Sequence, residues 1–410
     1  MKRLSLLLGT LFFANSLIGE IVQHDEKLNQ DEIRALRDWV ITKRQVTVKE
    51  RGGNLSLSGE VRTEYQARNE IKNGIKQIGE NGAVRGKPSD QWDIEVNVML
   101  DYRTDRAWAA IRIEYDNNMG TSSGTFNGLS LERAYLGGRL VNADTYTIDA
   151  ELGRRNFGNV FDSRIQFGSF MDGLVLKYDQ GLDFLGDIYL HTGPFLINEK
   201  KNQYGFVGEV GILNIGGTGL FTKYSLIDWD TKKFTNVIEE RLWQFLNSQM
   251  ILGYRFKPKW LDRSVTLYLA GLINSAAKPL PITNNKKANW GWYGGFSIGS
   301  LRKKGDWSFD ANWQAVSAQA VPIVDSSGIG TNNAENAGFH TTNIDGSGGP
   351  NSLANARGQT NYKGVAIQFL YLLSNNVTLY QSWAQSWTLD KSIGPNVRFR
   401  QYELEIIFAF

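Results

Sequence analysis

Charge falls on alternate residues in NLSLSGEVRTEYQA (residues 54–67), where Glu60, Arg62 and Glu64 interleave with Val61 and Tyr65. The spacing returns in QWDIEVNVMLDYR with Asp93, Glu95, Asp101 and Arg103, and after Thr104-Asp105-Arg106 with Arg112 and Glu114. A period of two sends successive side chains to opposite faces of a strand, so these charges share one face. Carboxylates and guanidiniums interleaved on one wall can attract, repel and sort ions and small polar solutes. Covalent catalysis needs more: a nucleophile, a base and a group that orients the base. Of the three histidines, His24 precedes the first alternating run, His191 sits beside Leu190 on a polar face, and His340 lies in a Gly/Asn/Ser-rich loop. None has a serine and a carboxylate arranged around it, and neither HExxH nor a phosphate loop occurs, so an enzyme is not expected. With no cysteine, thiolate metal sites and disulfides are excluded. Asp325 and Asp345 offer oxygens for Ca²⁺ without EF-hand or nonapeptide spacing, so neither a metal nor a cofactor is expected.

The elements that would carry these charges are strands of about 10 residues with one apolar and one polar face. Candidates fall at 54–67, 91–103, 107–116, 129–141, 145–153, 173–179, 183–191, 204–213, 219–227, 246–256, 263–274, 289–301, 307–318, 361–373, 377–387 and 397–410. That makes about sixteen, joined by connections that alternate between a few residues and stretches as long as 319–360. Short turns at one end and long loops at the other characterise an outer-membrane barrel with an even strand number. The expected fold is therefore all-β: a transmembrane antiparallel up-and-down β-barrel over 54–410. In it Glu60, Arg62, Glu64, Asp93, Glu95, Asp101, Arg103, Arg112, Glu114 and Glu132 face the lumen. Closure is required because an open edge in hydrocarbon would leave backbone groups unsatisfied. In the last run, RQYELEIIFAF, Tyr402, Leu404, Ile406, Phe408 and Phe410 would face lipid while Glu403 and Glu405 face inward. Two runs resist the pattern. Arg133 in LSLERAYLGG shares the parity of Leu129, Leu131 and Tyr135, which calls for a bulge or a place at the rim; Gln381 and Gln385 share that of Trp383 and Trp387.

Composition agrees with a barrel. Mean hydropathy is -0.33 and 21% of residues are charged, yet 12% are aromatic and Gly numbers 43. No run after the leader approaches the roughly 20 apolar residues of a spanning helix. Net charge is only +3, which leaves no footprint for nucleic acid. MKRLSLLLGTLFFANSLIG reads as a signal peptide over 1–19, with cleavage near 16–19. Residues 20–53 read as a periplasmic segment with a short helix, on the spacing of Leu28, Ile33, Leu36, Trp39 and Val40. The loop 319–360, rich in Gly, Asn and Ser, has the composition of a mobile, solvated extracellular segment.

The blocks LERAYLGG, GRRNFGNVFDSRIQFGSFMDGLVLKY, WGWYGGFSIGSLRKKGDWSFDANWQAVSAQAVP and TNYKGVAIQFLYLLSNNVTLYQSWAQSW resemble strand-turn-strand units of the single-chain outer-membrane porins of Gram-negative bacteria. The resemblance implies a water-filled channel for passive diffusion of small hydrophilic solutes and ions, in the outer membrane and commonly as a homotrimer. It also implies a third long loop folded into the lumen. Arg154, Arg155, Asp162, Arg164 and Asp172 become its constriction candidates, with Phe157, Phe161, Phe167 and Phe170 to pin it to the wall. The terminal strand, with Tyr402, Phe408 and Phe410, resembles the signal read by the barrel assembly machinery. A non-conducting structural or adhesive barrel is the alternative, kept open by the helical prefix.

Overall fold

Period-two alternation becomes strand throughout. The structure, a computed structural model, describes residues 46–50, 53–84, 87–120, 129–182, 184–199, 202–229, 244–280, 283–333 and 359–410. The strands are β1 (Val46–Glu50), β2 (Gly53–Lys72), β3 (Ile75–Lys76), β4 (Asp90–Arg103), β5 (Ala107–Asn118), β6 (Leu129–Asn142), β7 (Tyr146–Asn156), β8 (Phe170–Leu182), β9 (Gly186–Asn198), β10 (Gln203–Ile215), β11 (Leu220–Asp228), β12 (Leu246–Phe256), β13 (Val265–Asn274), β14 (Trp290–Gly299), β15 (Trp307–Val316), β16 (Tyr362–Leu372), β17 (Val377–Thr388) and β18 (Val397–Ala409). Leaving out the short β1 and β3, sixteen strands pair antiparallel in chain order, and β18 pairs back onto β2 from Val397–Lys72 to Ala409–Glu60. The sheet is closed, so it has no free edge.

The closure extends past the end of β18. Phe410 and Gly59 exchange backbone hydrogen bonds at 2.9 and 3.0 Å, and β1 continues the same lane along β2, from Val46–Leu57 to Glu50–Gly53. The helical segment expected over 20–53 is thereby corrected at its end: the β-branched alternation VTVKE pairs as strand where β2 outruns its C-terminal neighbour. The expected helix itself and the leader fall on residues 1–45, outside the described residues.

Two bulges in β6 re-aim its side chains. Arg112 pairs with Arg133 but Ile113 with Leu131, so Glu132 is the extra residue; a second shift, between Arg139 and Val141, leaves Leu140 extra. The first bulge turns Arg133 and Tyr135 to the face of Arg112, inside the barrel. The face shared by Leu129 and Leu131 passes to Ala134 and Leu136. Opposite this stretch, Gly153 has φ +136°, and a Cβ there would lie 2.2 Å from the Ala134 carbonyl oxygen. Only glycine fits that approach.

Inside the barrel, one sector carries two apolar clusters among buried polar side chains. Val175, Phe195, Val207 and Ile227, inward on β8 to β11, are buried with Phe157, Phe161, Phe167 and Met171. Phe221, Ile251, Tyr268, Tyr293, Tyr362 and Phe399 form a second inward cluster with Ile165, Val321 and Ile329. Apolar lumen positions would be wasted against water. They are covered by two loops, 157–169 after β7 and 317–333 after β15.

Candidate functional site

The lumen is divided by those loops. Loop 157–169 leaves the barrel between β7 and β8 and reaches across to β10, β11, β12 and β15. The Asp162 backbone N–H donates to Glu209 Oε2 at 3.0 Å, and Lys223 Nζ donates to the Asp162 carboxylate at 3.0 Å. Gln249 Nε2 donates to the Asp162 carbonyl at 2.7 Å. Further on, Arg164 reaches Asp310 Oδ2 at 2.9 Å and lies 5.3 Å from the Tyr268 ring centroid. Burial works against the Arg164 charge and is the largest single influence, but Asp310, Tyr268, Asp162 and Tyr293 together outweigh it and hold the guanidinium above its ordinary value. Phe157, Phe161 and Phe167 pin the loop as expected, with exposures of 0%, 0% and 1%. Burial of that kind contributes roughly 2–3 kcal/mol per ring.

Loop 317–333 clamps the first loop from above. Asp325, wholly buried, accepts from Ser169 Oγ at 2.8 Å, and its carbonyl accepts from the Gly168 N–H at 3.2 Å. The Ser327 N–H donates to the Ile165 carbonyl at 3.3 Å. Burial pushes the Asp325 carboxyl up to about 7, partly offset by hydrogen bonds from Ser169 and the Phe167 backbone. The reading of 319–360 as a mobile, solvated segment is therefore corrected for its first part: Asp325, Ile329 and Asn333 are buried, and Asp325 is a loop clamp rather than an exposed oxygen ligand. Composition misled because glycine here serves close backbone approach: Gly328 has φ +59°, and a Cβ there would stand 2.3 Å from the Arg164 carbonyl oxygen. Residues 334–358, with His340 and Asp345, lie outside the described residues.

The opposite sector, on β18, β2 and β4 to β7, carries the charge. Glu60, Arg62, Glu95, Arg112 and Glu114 join as a ladder: Arg62 is paired with Glu60 and lies 3.7 Å from Glu95 and 3.8 Å from Glu405. Arg112 lies 3.9, 3.7 and 3.6 Å from Glu60, Glu95 and Glu114. Asn97 ties the rungs together, donating to Glu60 at 2.9 Å and accepting from Arg112 Nε at 3.0 Å. Carboxylate oxygens of Glu64, Glu403 and Glu405 lie within 4.8 Å of one another. Asp93 accepts from Gln91 at 3.0 Å, and Asp101 and Arg103 stand in register with Ser56 and Asn54 towards the short-turn end. Arg155 also faces inward, paired with Glu151 and 4.4 Å from the Tyr135 ring centroid. Lys177 Nζ meets Glu151 at 2.8 Å.

Three expected positions, Arg154, Asp172 and Phe170, are corrected. Arg154 and Asp172 do not enter the lumen: they pair across β7 and β8 at 2.7 Å with the parity of Leu152 and Leu174, on the outer face. Phe170 is likewise outward and 42% exposed, because β8 begins at that residue and the loop ends sooner than expected. Glu132, as the bulge residue, has no register partner on β5 and accepts from Ser130 at 3.4 Å, beside Glu114. Tyr402 and Phe408 stand outward, the former donating to Gln381 at 3.3 Å. Sequence reasoning missed Lys177, Glu209, Lys223 and Asp310. Strand parity offered them, but only the path of the loops gives them partners.

Beneath loop 157–169, a vestibule of about 400 Å³ opens at the short-turn end, lined by Tyr146, Asp162, Asp179, His191, Glu209 and Lys223. His191 lies 3.7 Å from Asp179 and 3.4 Å from the Val160 carbonyl. A G-x-S-x-G spacing occurs at 120–124, and residues 121–128 lie outside the described residues.

No family model and no curated protein matches the chain. Solved structures do. The high-pH structure of OprB from Pseudomonas putida aligns over 87% of this chain and 94% of its own, with TM-score 0.51 and 9% identity. This is the porin fold. OmpF of Salmonella typhi, solved with daunomycin, aligns over 89% and 100% at TM-score 0.49 and 12% identity. The outer-membrane channel DcaP of Acinetobacter baumannii aligns over 88% and 99% at 0.45 and 10%. Sequence likeness this low leaves the porin fold as the shared feature, and the chemistry must come from this chain's own lumen.

Proposed function

We propose that the protein is an outer-membrane porin through which small hydrophilic solutes and ions diffuse, cations more readily than anions. The observation that carries this reading is the division of the lumen: two loops cover the sector of the apolar clusters, while the facing wall concentrates ionised groups. On that wall the carboxylates of Glu60, Glu64, Glu95, Glu114, Glu403 and Glu405 outnumber the guanidiniums of Arg62, Arg112 and Arg133 beside them, and rings of acidic side chains favour cations. Residues 1–19 would direct export and be removed, the part of 20–53 that precedes β1 would remain periplasmic, and the barrel assembly machinery would read the last strand with Tyr402, Phe408 and Phe410. Arg155, Asp162 and Arg164 would frame the constriction. A homotrimer agrees with this reading.

One observation favours a non-conducting structural barrel instead: Glu60 and Glu405 are only 1% and 3% exposed, as in a closed passage. Planar-bilayer recording separates the two. Stable current steps with a cation-selective reversal potential in a KCl gradient support the porin, and steps in threes a trimer. Folded, heat-modifiable protein that never conducts supports the closed barrel.

A further inference from the structure

The outer face carries a patch of positive charge at the long-loop rim that no carboxylate pairs among the described residues. Lys363 on β16, Trp387 on β17 and Arg398 on β18 are successive cross-strand neighbours. One pair further down, Gln385, Arg400 and Asn69 are neighbours on β17, β18 and β2. All six share the parity of Val365, Ile367, Leu404 and Ile406, which is the outward face. Lys363, Arg398 and Arg400 are exposed, and none has an ion pair or side-chain hydrogen bond among the described residues. Neighbouring strands lie about 4.8 Å apart, so Lys363 and Arg398 are separated by about 10 Å and converge around Trp387.

Nearby carboxylates are already engaged. Asp90 accepts from Tyr65 at 2.7 Å and Ser89 at 2.8 Å; Asp390 accepts from the Ser392 hydroxyl and N–H at 2.6 and 2.9 Å. Arg154, outward at the same rim, shows the contrast, since Asp172 matches it. A second copy of the chain is a poor occupant, because three like charges would need an acidic counterpart. Hydrocarbon is a poor one too, although the penalty for an outward cation fades near the interface. The headgroup level suits both the cations and Trp387, whose ring stacks on Trp313 with centroids 6.1 Å apart.

We infer that Lys363, Arg398 and Arg400 form a binding site for a phosphate-bearing lipid headgroup of the leaflet at the long-loop rim. Arginine matches phosphate oxygens with two parallel N–H donors, and lysine adds a point charge. The site holds the barrel to its own membrane and is separate from the lumen. It rests on the outer-membrane reading for its orientation.

Native mass spectrometry of the detergent-solubilised full chain tests it, with diphosphorylated lipid A, its dephosphorylated form and inorganic phosphate as probes. Lipid A adducts should persist on the wild type and weaken about tenfold or more in K363Q/R398Q/R400Q. Dephosphorylated lipid should bind both proteins weakly and alike, and millimolar inorganic phosphate should not displace lipid A. Equal lipid A retention by the variant overturns the site, displacement by inorganic phosphate overturns the lipid assignment, and a lost oligomer in the variant points to a contact between copies. R398Q/R400Q serves where the triple variant fails to show heat-modifiable mobility. Wild type that conducts without holding lipid sinks this inference alone; lipid binding without conductance sinks only the channel.

Discussion

Phe410 and Gly59 form the last rung of the barrel, each donating its N–H to the other's carbonyl, at 2.9 and 3.0 Å. A Cβ on Gly59 would lie 2.6 Å from the Phe410 ring and 2.7 Å from the Asn97 carbonyl oxygen. The ring therefore lies over the glycine, and the two residues close the seam together. Removing Phe410 should lower the heat-modifiable, folded fraction several-fold after refolding into lipid. G59V should do the same by driving the ring and β4 away, whereas F410Y, which keeps ring and rung, should refold like wild type. Gel mobility with and without heating reads all three.

Arg164 and Asp310 join the loop to the far wall at 2.9 Å, and Asp310 also accepts from Tyr268 at 2.9 Å and Ser297 at 2.6 Å. Removing the guanidinium leaves the buried Asp310 carboxylate without its counter-charge, and the partial exposure of Arg164 holds the cost below the roughly 3–5 kcal/mol of a fully buried pair. R164M should therefore loosen the loop end beyond Asp162 without opening the barrel, which is held by its own ladder of backbone bonds. The expected result is noisier single-channel current with more frequent transitions between levels. R164M/D310N, which removes both charges, should recover much of the quiet baseline. Equal noise in single and double variants would show that the pair does not hold the loop.

Sixteen strands were legible because alternation, turns and loop rhythm are local. What parity could not show is where it breaks. Arg133 stands on the lipid-facing parity of its neighbours until Glu132 bulges, and a bulge carries no reliable residue signature. The loops were harder still. Arg154 and Arg155 are adjacent in the chain, yet one pairs outward with Asp172 and the other inward with Glu151, because β7 extends three residues past the expected boundary. Arg164 meets a carboxylate 146 positions away. Apolar inward residues such as Val207 and Ile227 were the available sign that something covers that wall.

Arg62 and Arg112 are the cations of the ladder, and each lies within 4.0 Å of more than one carboxylate. Replacing them uncovers negative charge without changing the loops. R62Q/R112Q should raise the cation-to-anion permeability ratio by about twofold or more, whereas E95Q/E114Q should lower it. Reversal potentials in a KCl gradient measure both. A ratio unmoved by either variant would place the selective charge elsewhere, such as at Lys223 and Asp162 around the vestibule.

Asp325 gives the protein an acid-stabilised clamp. Its carboxyl is pushed up to about 7 in the folded state, while an unfolded aspartate titrates near 3.9. Between those values the folded chain holds the proton and the unfolded chain does not, so stability falls as pH rises from about 4 to 7. The sign is opposite to that of a salt-bridged aspartate. Burial of the ionised form is the cause, since one carboxylate oxygen has no hydrogen-bond partner. The heat-unfolding midpoint of the wild type should rise as pH is lowered from 8 to 5. D325N, neutral throughout, should lose that slope and equal or exceed the wild type above pH 7. A D325N midpoint that keeps the wild-type slope would assign the pH dependence to other carboxyls and leave Asp325 a purely structural bridge between the two loops.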